Sequence, residues 1–179
     1  MAASDQSRQV RKTKGAVIEA FKELVLEERY DDIRVSDIVR ESDVGRSTFY
    51  EHFRDKDDVL RHSMAGLLAP LASAVEETCD VRKVQWVLDH FQENIRVARG
   101  MMNSPTVSVI VSALASLIEE RLKPVTAPML PPSLVAAQIA EAVFGLIRAW
   151  LFKDTQVPAS QVAEALCRSA SKMREGYMR

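Results

Sequence analysis

Apolar residues recur along this chain at helical spacing, and no segment shows the period-two alternation of a half-buried strand. The first clear stripe contains Ala16, Ala20, Phe21 and Leu24, which lie one turn apart on one helix face. The polar run Tyr30-Asp31-Asp32 interrupts this stripe. The pattern therefore predicts a first helix that ends before residue 30.

Two short helices are predicted next, over Val35–Ser42 and Arg46–Phe53. The link between them, Ser42-Asp43-Val44-Gly45, is long enough only for a tight turn. Three helices of this kind can share a small core with the first stripe, which is the arrangement of a helix-turn-helix. The apolar positions that would meet in this core are Ile33, Val35, Ile38, Val44, Phe49 and Phe53.

The remaining pattern predicts longer helices and one proline-rich linker. Pro70 should interrupt a helix because it lacks a backbone donor, Gly100 is a plausible stop, and Pro105 can open a helix. The sequence thus predicts an all-α protein of about nine helices, with an N-terminal helix-turn-helix domain over residues 1–56 and a larger helical domain over residues 57–179. The later helices are predicted at Lys56–Asp80, Val81–Ala98, Pro105–Leu122, Ser133–Lys153 and Ala159–Met173, with the linker at Lys123–Ser133.

Composition narrows the class of protein. The chain has 179 residues, and its only two cysteines, Cys79 and Cys167, lie outside any metal-ligand spacing. No run of about 18 apolar residues is free of charge, and the N-terminus lacks the apolar run of a signal peptide. We therefore expect a soluble, reduced, cytoplasmic protein with no membrane partner.

Signals for an enzyme, a cofactor or a metal are absent from the sequence. There is no glycine-rich phosphate loop, no G-x-S-x-G and no H-E-x-x-H. The acidic cluster Asp55, Asp57 and Asp58 opens a predicted helix, where acids favour the positive end of the helix dipole, and a metal site is the weaker interpretation. We expect no enzyme activity, no cofactor and no metal.

The charge is balanced overall but uneven in order. The chain carries 24 Lys+Arg against 25 Asp+Glu, yet four bases and no acid occur from Arg8 to Lys14. The outer face of the predicted helix Arg46–Phe53 is polar, and an arginine on such a face can read guanine edges in a major groove. Phe49 and Phe53 are expected in the core. Periodicity alone leaves DNA binding and an ordinary solvated face equally open.

The residues on this helix add a resemblance. The segments Ile33–Ile38 and Val44–Lys56, with the pattern T-F-Y-x-H-F-x-x-K, closely resemble the N-terminal domain of TetR-family transcriptional regulators. The resemblance spans roughly Thr13 to Leu60. It implies base or phosphate contacts by Ser36, Arg46, Ser47, Thr48, Tyr50, His52 and Lys56, and it allows Arg11, Lys12 and Lys14 to follow the DNA backbone or an adjacent minor groove.

The second domain has two candidate surfaces. Its soft and aromatic residues form a packed core or, as the resemblance implies, a pocket for an apolar effector, because methionine repacks around different ligands. The Ser133–Lys153 helix is apolar nearly all round, so it must be buried on more than one side. We expect one side to pack on the core of the domain and the other to pack against a second subunit. Trp150 fits the pocket, the core or the interface. The expected ligand-binding residues are Met64, Leu67, Trp86, His90, Phe91, Met101, Met102, Phe144 and Ile147, and the expected dimer-interface residues are Val135, Ile139, Val143, Val162, Leu166 and Met173.

Together these features predict a TetR-like homodimeric transcriptional regulator. It would bind a palindromic double-stranded DNA operator, repress transcription and be released by a small apolar effector. The alternative is a helical dimer that responds to a protein partner and has no small-molecule effector.

Overall fold

The computed structural model describes residues 2–123, 129–153 and 156–177, and the side chains from residue 8 onward. Within these ranges the chain forms nine α-helices, one 3₁₀ turn and no strand, as the sequence predicts. The chain divides into two compact units, unit 1 over Met1–Met64 and unit 2 over Ala65–Arg179. The division falls inside the fourth helix, eight residues beyond the boundary proposed from sequence.

Unit 1 contains the helices α1 (Ala2–Glu27), α2 (Val35–Ser42) and α3 (Arg46–His52), and the first turns of α4 (Lys56–Ala72). α1 begins far earlier than its apolar stripe, so the bases Arg8 to Lys14 lie on a helix. Large apolar side chains fill the centre of the unit and are almost completely buried. They are Val17, Phe21, Leu24, Ile33, Ile38, Phe49 and Phe53.

The helix predicted over Lys56–Asp80 is shorter in the structure. α4 ends at Ala72 and is followed by a single 3₁₀ turn, Ser73–Val75. Pro70 has no N–H to continue the helical ladder, and the hydroxyl of Ser73 donates to the carbonyl of Pro70 at 2.7 Å. The chain therefore leaves the helix within one turn of the proline.

The single helix predicted over Val81–Ala98 is wrong, because the structure has two. α5 (Val81–Glu93) ends where the side-chain amide of Asn94 donates to the carbonyl of His90 at 3.0 Å. Asn94 itself leaves the helical conformation, with φ of −111° and ψ of 37°, and so separates the two helices. α6 (Ile95–Met102) follows and passes through Gly100 without stopping.

The last three helices agree closely with the sequence pattern. They are α7 (Thr106–Leu122), α8 (Pro132–Phe152) and α9 (Ala159–Gly176). α8 packs against α7 and α9, and α9 also packs against α5. The middle of the proline-rich linker, residues 124–128, lies outside the described residues.

α8 is long and apolar enough to cross a membrane by length and composition alone, but half of its most apolar stretch is buried inside the protein. Burial of this kind is typical of the central helix of a globular core. The many apolar side chains of α8 therefore serve largely to pack this helix within unit 2.

One feature of unit 2 contradicts the expectation of reduced cysteines. Cys79, in the turn before α5, and Cys167, in α9, form a disulfide with their Cα atoms 5.9 Å apart. The two residues are separated by 88 positions in sequence. The spacing of the cysteines in sequence does not predict a contact between residues so far apart, because that contact depends on how α9 packs.

Candidate DNA-binding site

A tight turn between α2 and α3 sets the geometry of the candidate site. Asp43 ends α2 in the left-handed conformation with φ of 51°, and its N–H donates to the carbonyl of Arg40. Asp tolerates this conformation better than most residues. α3 begins three residues later, at Arg46, with Gly45 as its N-cap. Residues Asp43–Gly45 thus form the short turn between the two helices, as predicted for a helix-turn-helix.

The buried face of α3 fixes which of its residues point outward. Phe49 is completely buried and Phe53, directly after the helix, is 1% exposed, with their ring centroids 5.7 Å apart. Both aromatic residues are core residues, as the sequence predicts. The opposite face of α3 is consequently directed to solvent.

Arg46, Ser47 and Tyr50 occupy this outward face and are exposed. The guanidinium of Arg46 lies 5.9 Å from the centroid of the Tyr50 ring, one turn along the helix. A cation over an aromatic ring is weakly attracted to it, which favours an ordered arginine. Thr48 and His52 are only partly exposed and lie at the edges of this face.

α2 contributes one further predicted residue at its start. Ser36 is exposed in the first turn of the helix. The backbone N–H of Arg34 donates to the carboxylate of Asp37 at 2.9 Å, which caps this end of the helix. Arg40 pairs with the same carboxylate at 3.1 Å. α2 therefore starts at a fixed position, with Ser36 on its surface.

Lys56 differs from the other predicted contacts because its ammonium group is already engaged. Its Nζ donates to the carbonyls of Tyr30 at 2.9 Å and Ile33 at 3.0 Å, with Asp31 O at 3.5 Å. The same nitrogen lies 4.3 Å from the centroid of the Tyr30 ring. An ammonium has three donors, so a phosphate could bind here only by displacing one of these carbonyls. We assign Lys56 to holding the turn between α1 and α2.

Tyr30 completes this buried connection. Its hydroxyl donates to the carboxylate of Asp57, and its ring packs edge-on against Phe21. Burial of the hydroxyl, followed by the hydrogen bond to Asp57, raises the pKa of Tyr30 well above its ordinary value of 10.0. The segment Tyr30-Asp31-Asp32, which interrupts the first apolar stripe, is thus part of a packed turn that Lys56 and Asp57 join to α4.

The acidic cluster at the start of α4 caps the helix. The carboxylate of Asp55 accepts from the N–H of Asp58 at 2.7 Å, and the carboxylate of Asp58 accepts from the N–H of Arg54 at 3.2 Å. The first bond is that of an N-cap side chain to the third residue of the helix, and the second holds the residue before the cap. The interpretation of these acids as helix-terminal groups is confirmed.

The bases of α1 form a second exposed group in unit 1. Arg8, Arg11 and Lys12 are exposed, whereas Lys14 is partly buried with its Nζ 5.8 Å from the centroid of the Phe53 ring. The cation–π contact joins α1 to the end of α3. Sequence periodicity does not reveal it, because Lys14 lies N-terminal to the apolar stripe.

The nine residues predicted to bind an effector range from exposed to fully buried in the structure. Trp86 is 56% exposed, whereas Phe91, Met102, Phe144 and Ile147 are buried in the core. Met64, Leu67, His90 and Met101 are partly exposed, and Met64 lies in unit 1.

A cavity of about 300 Å³ in unit 2 is lined by none of these nine residues. Arg99 holds one side of it by donating from Nε and Nη2 to the carbonyl of Leu151, at 2.9 and 2.6 Å. Trp150 is 7% exposed and donates from Nε1 to the carbonyl of Val157 at 2.9 Å. The lining residues are Gln92, Ile95, Arg99, Trp150, Leu151, Phe152 and Lys153.

The predicted dimer-interface residues are covered within the single chain. Val135, Ile139, Val143, Val162 and Leu166 are each less than 5% exposed, and Met173 is partly exposed. A residue whose side chain already fills the core offers little surface to a partner. The side of α8 that remains exposed, here called the open face of α8, contains Leu134, Ala137, Gln138, Glu141, Ala142, Leu146, Arg148 and Phe152, with Gly145 and Ala149 partly exposed.

Comparison with known proteins agrees with this geometry. Residues 17–62 match the family described as bacterial regulatory proteins, tetR family. The HTH-type transcriptional regulator YxbF of Bacillus subtilis (strain 168) is 38% identical over 55 residues. These residues are 30% of this chain and 14% of YxbF, so the match covers a small part of that relative.

Solved structures show the same fold over almost the whole chain. A TetR transcriptional regulator from Streptococcus agalactiae 2603V superposes with a TM-score of 0.58 and 23% identity, covering 94% of this chain and 98% of that one. RolR in complex with resorcinol gives 0.52 and 16% identity, covering 97% and 96%. A TetR-family protein from Syntrophomonas wolfei gives 0.51 and 17%, covering 94% and 97%.

The turn, the buried aromatic face and the exposed polar face together define a helix-turn-helix DNA-binding protein. Residues 17–62 form a domain that matches the tetR family of bacterial regulatory proteins, and the likeness of the chain as a whole to solved structures is one of fold. The relatives from Bacillus subtilis, Streptococcus agalactiae and Syntrophomonas wolfei are described as transcriptional regulators.

Proposed function

We propose that the protein is a homodimeric repressor that binds a palindromic operator through α3 and is released by a small effector bound in unit 2. The observation that carries this proposal is the outward face of α3, where Arg46 and Tyr50 lie exposed opposite the buried Phe49. An exposed arginine on a short helix after a tight turn fits a major groove, where bidentate contacts to guanine are available.

The operator can be isolated by selection from random DNA. The full-length protein is incubated with a pool of random-sequence DNA duplexes, and the retained duplexes are amplified and sequenced over several rounds. An enriched inverted repeat supports a two-fold symmetric operator, since palindromy mirrors protein symmetry. Enrichment of a single unrepeated site contradicts the homodimer, and no enrichment contradicts specific DNA binding.

The open face of α8 supports a dimer of this kind. Leu134 is 58% exposed, and Leu146 and Phe152 are each more than a third exposed. The neighbouring Ala142, Gly145 and Ala149 are small, which allows the backbone of a second helix to approach closely. A two-fold axis beside this face would pair it with itself, as in an isologous interface. The proposed interface therefore lies on the side of α8 opposite Val135, Ile139 and Val143.

The cavity at Arg99 and Trp150 supports an effector site in unit 2. Its volume of about 300 Å³ is at the lower end of the range for small-molecule sites. Trp150 and Phe152 supply an apolar wall, and Arg99 and Lys153 would favour a ligand that carries an acidic or hydroxyl group. The proposed effector is thus small and combines an apolar part with an acidic or hydroxyl group.

Tryptophan fluorescence can test this site. The chain has two tryptophans, and Trp86 is exposed away from the cavity lining. The variant Trp86→Phe leaves Trp150 as the only reporter, and a panel of small aromatic and aliphatic acids is titrated against it. A saturable change that also releases the selected operator supports the proposal. Operator release without any change at Trp150 places the effector elsewhere.

A further inference from the structure

The disulfide between Cys79 and Cys167 joins two parts of unit 2 that are distant in sequence. Cys79 lies in the turn between the 3₁₀ segment and α5, and Cys167 lies on the buried side of α9. Their Cα separation of 5.9 Å is within the range of ordinary disulfides. The backbone therefore places the two cysteines at a distance where a disulfide can form.

The turn that carries Cys79 is held against α9 by other contacts as well. Arg174 of α9 donates from Nη1 to the carbonyl of Val75 at 2.9 Å and pairs through Nη2 with Glu77 at 3.2 Å. Ala74 and Val75 are each 1% exposed. Because these contacts do not involve sulfur, the two thiols would stay close together after reduction. Reoxidation would then need no refolding.

The two cysteines differ in their access to solvent. Cys79 is partly exposed and lies next to the exposed residues Thr78 and Asp80, whereas Cys167 is 7% exposed. A reagent from solvent therefore reaches Cys79 first. Cys167, directly behind it, is placed to react with whatever forms on Cys79. This is the arrangement of an accessible thiol with a resolving thiol.

We propose that Cys79 and Cys167 form a reversible redox-sensing site that responds to hydroperoxides and changes the affinity of the protein for DNA. The inference rests on the proposed function, because a DNA-binding regulator works in the reducing cytoplasm, where a disulfide is usually transient. In that compartment the dithiol is the resting form and the disulfide is the signal.

The chemistry balances with a hydroperoxide as the oxidant. The Cys79 thiolate attacks one peroxide oxygen, the O–O bond breaks, and an alcohol leaves with the thiol proton, so that Cys79 becomes a sulfenic acid. Cys167 then attacks the Cys79 sulfur, the S–O bond breaks, and water leaves with the second proton. Two thiols and one hydroperoxide thus give one disulfide, one alcohol and one water. A cellular dithiol reverses the reaction by thiol–disulfide exchange.

The position of the bond connects it with both parts of the proposed function. The turn containing Cys79 follows α4, which is a continuous helix from Lys56 to Ala72 and belongs to both units. Cys167 is on α9, which packs against α8, the helix whose opposite side carries the proposed dimer face. Closing the bond therefore restrains the segment after α4 and the helix beside the interface relative to each other.

The chemical half of the proposal is tested on the full-length protein. The protein is reduced with dithiothreitol, freed of reductant under nitrogen and treated with one equivalent of cumene hydroperoxide. Intact-mass analysis should show the loss of two hydrogens and no disulfide-linked dimer, with both thiols recovered by dithiothreitol. The variant Cys167→Ser should accumulate a sulfenic acid that dimedone traps, whereas Cys79→Ser should react slowly. Two thiols that remain unmodified, or an intermolecular disulfide, overturn the proposal.

The functional half uses the duplex selected by the reduced protein. We expect its affinity to differ by about fivefold or more between the reduced and oxidised forms, and not to respond to oxidant in Cys79→Ser. Equal affinity of both forms overturns the sensing role while leaving DNA binding intact. Failure of both forms to bind any selected duplex instead contradicts the proposed function, and the thiol measurement still reports separately on the redox site.

Discussion

Two cationic residues of unit 1, Arg46 and Lys56, show how surroundings decide the role of a charge. Both lie in the segment Val44–Lys56, by which the sequence resembles TetR-family regulators. The Lys56 ammonium is satisfied by backbone carbonyls of the α1–α2 turn. The Arg46 guanidinium is exposed beside Tyr50. Lys56 therefore stabilises the fold of the domain, and Arg46 is available to a DNA base.

Replacing Arg46 should reduce sequence discrimination. We expect Arg46→Ala to cost about 1–3 kcal/mol of binding free energy and to relax the preference at one base pair of each half-site. Affinities for the selected operator and for all single-base variants would measure this. The matched control is Arg29→Ala, which removes the same charge from a side chain that is 81% exposed. A uniform loss over all sequences in Arg46→Ala would assign this residue to phosphate instead.

Replacing Lys56 should act on stability. Lys56→Met keeps the apolar stem but removes the ammonium donor from the carbonyls of Ile33 and Tyr30, of which Tyr30 keeps only the N–H of Ile33. This loss should lower the free energy of unfolding by about 1–3 kcal/mol. Urea denaturation measures the loss. Lys22→Met, at an exposed lysine paired only with Glu19, should change stability by less than about 1 kcal/mol. Unchanged stability in Lys56→Met, with a shallower salt dependence of DNA binding, would restore the phosphate role.

At the scale of the element, α8 shows what an apolar composition leaves undecided. The sequence identifies a helix that needs cover on more than one side, and the structure buries one side against α7 and α9. Val135, Ile139 and Val143 are on the buried side, whereas Leu134, Leu146 and Phe152 are on the open face. Since both sides are apolar, no stripe in the sequence distinguishes them. Burial within the chain is what separates core from candidate interface.

A charge in the middle of the open face should separate the proposed dimer without harming the subunit. A Cβ added at Gly145 meets nothing within 4 Å, and arginine is a better helix former than glycine. We expect Gly145→Arg to keep its thermal stability as a monomer and to weaken self-association about a hundredfold or more, because a buried unpaired charge is costly. Sedimentation velocity across a dilution series measures this.

Two further variants complete the experiment on α8. Ser116→Arg places the same charge on an exposed position of α7 and should leave self-association unchanged. Leu166→Glu introduces a charge at a side chain that is 1% exposed, so it should unfold unit 2 instead of separating folded subunits. A Gly145→Arg protein that still sediments as a dimer would place the interface on another surface.

At the scale of the whole molecule, local signals in the sequence were sufficient for the class of fold. Periodicity located the helices, and the motif around Phe49 and Tyr50 identified the recognition helix. Contacts between segments that are distant in sequence could not be predicted from these local signals. The disulfide of Cys79 and Cys167, the carbonyl partners of Lys56 and the lining of the cavity at Arg99 all depend on which helices pack together. Asn94 separates α5 from α6 by leaving the helical conformation, which apolar periodicity does not predict.

The proposed dimer makes a geometric prediction about the operator. Two copies of α3 related by a two-fold axis would bind successive major grooves on one side of the duplex, about 34–36 Å or a multiple of one helical turn apart. Inserting about five base pairs, half of the helical repeat, at the centre of the operator places the half-sites on opposite sides of the DNA. Affinity should then fall to that of a single half-site. The monomeric Gly145→Arg variant supplies the control, because its weaker binding should not depend on the spacing. Equal affinity of the wild-type protein for both spacings would mean that the two recognition helices are not held in a fixed relation, and would contradict the two-fold assembly on α8.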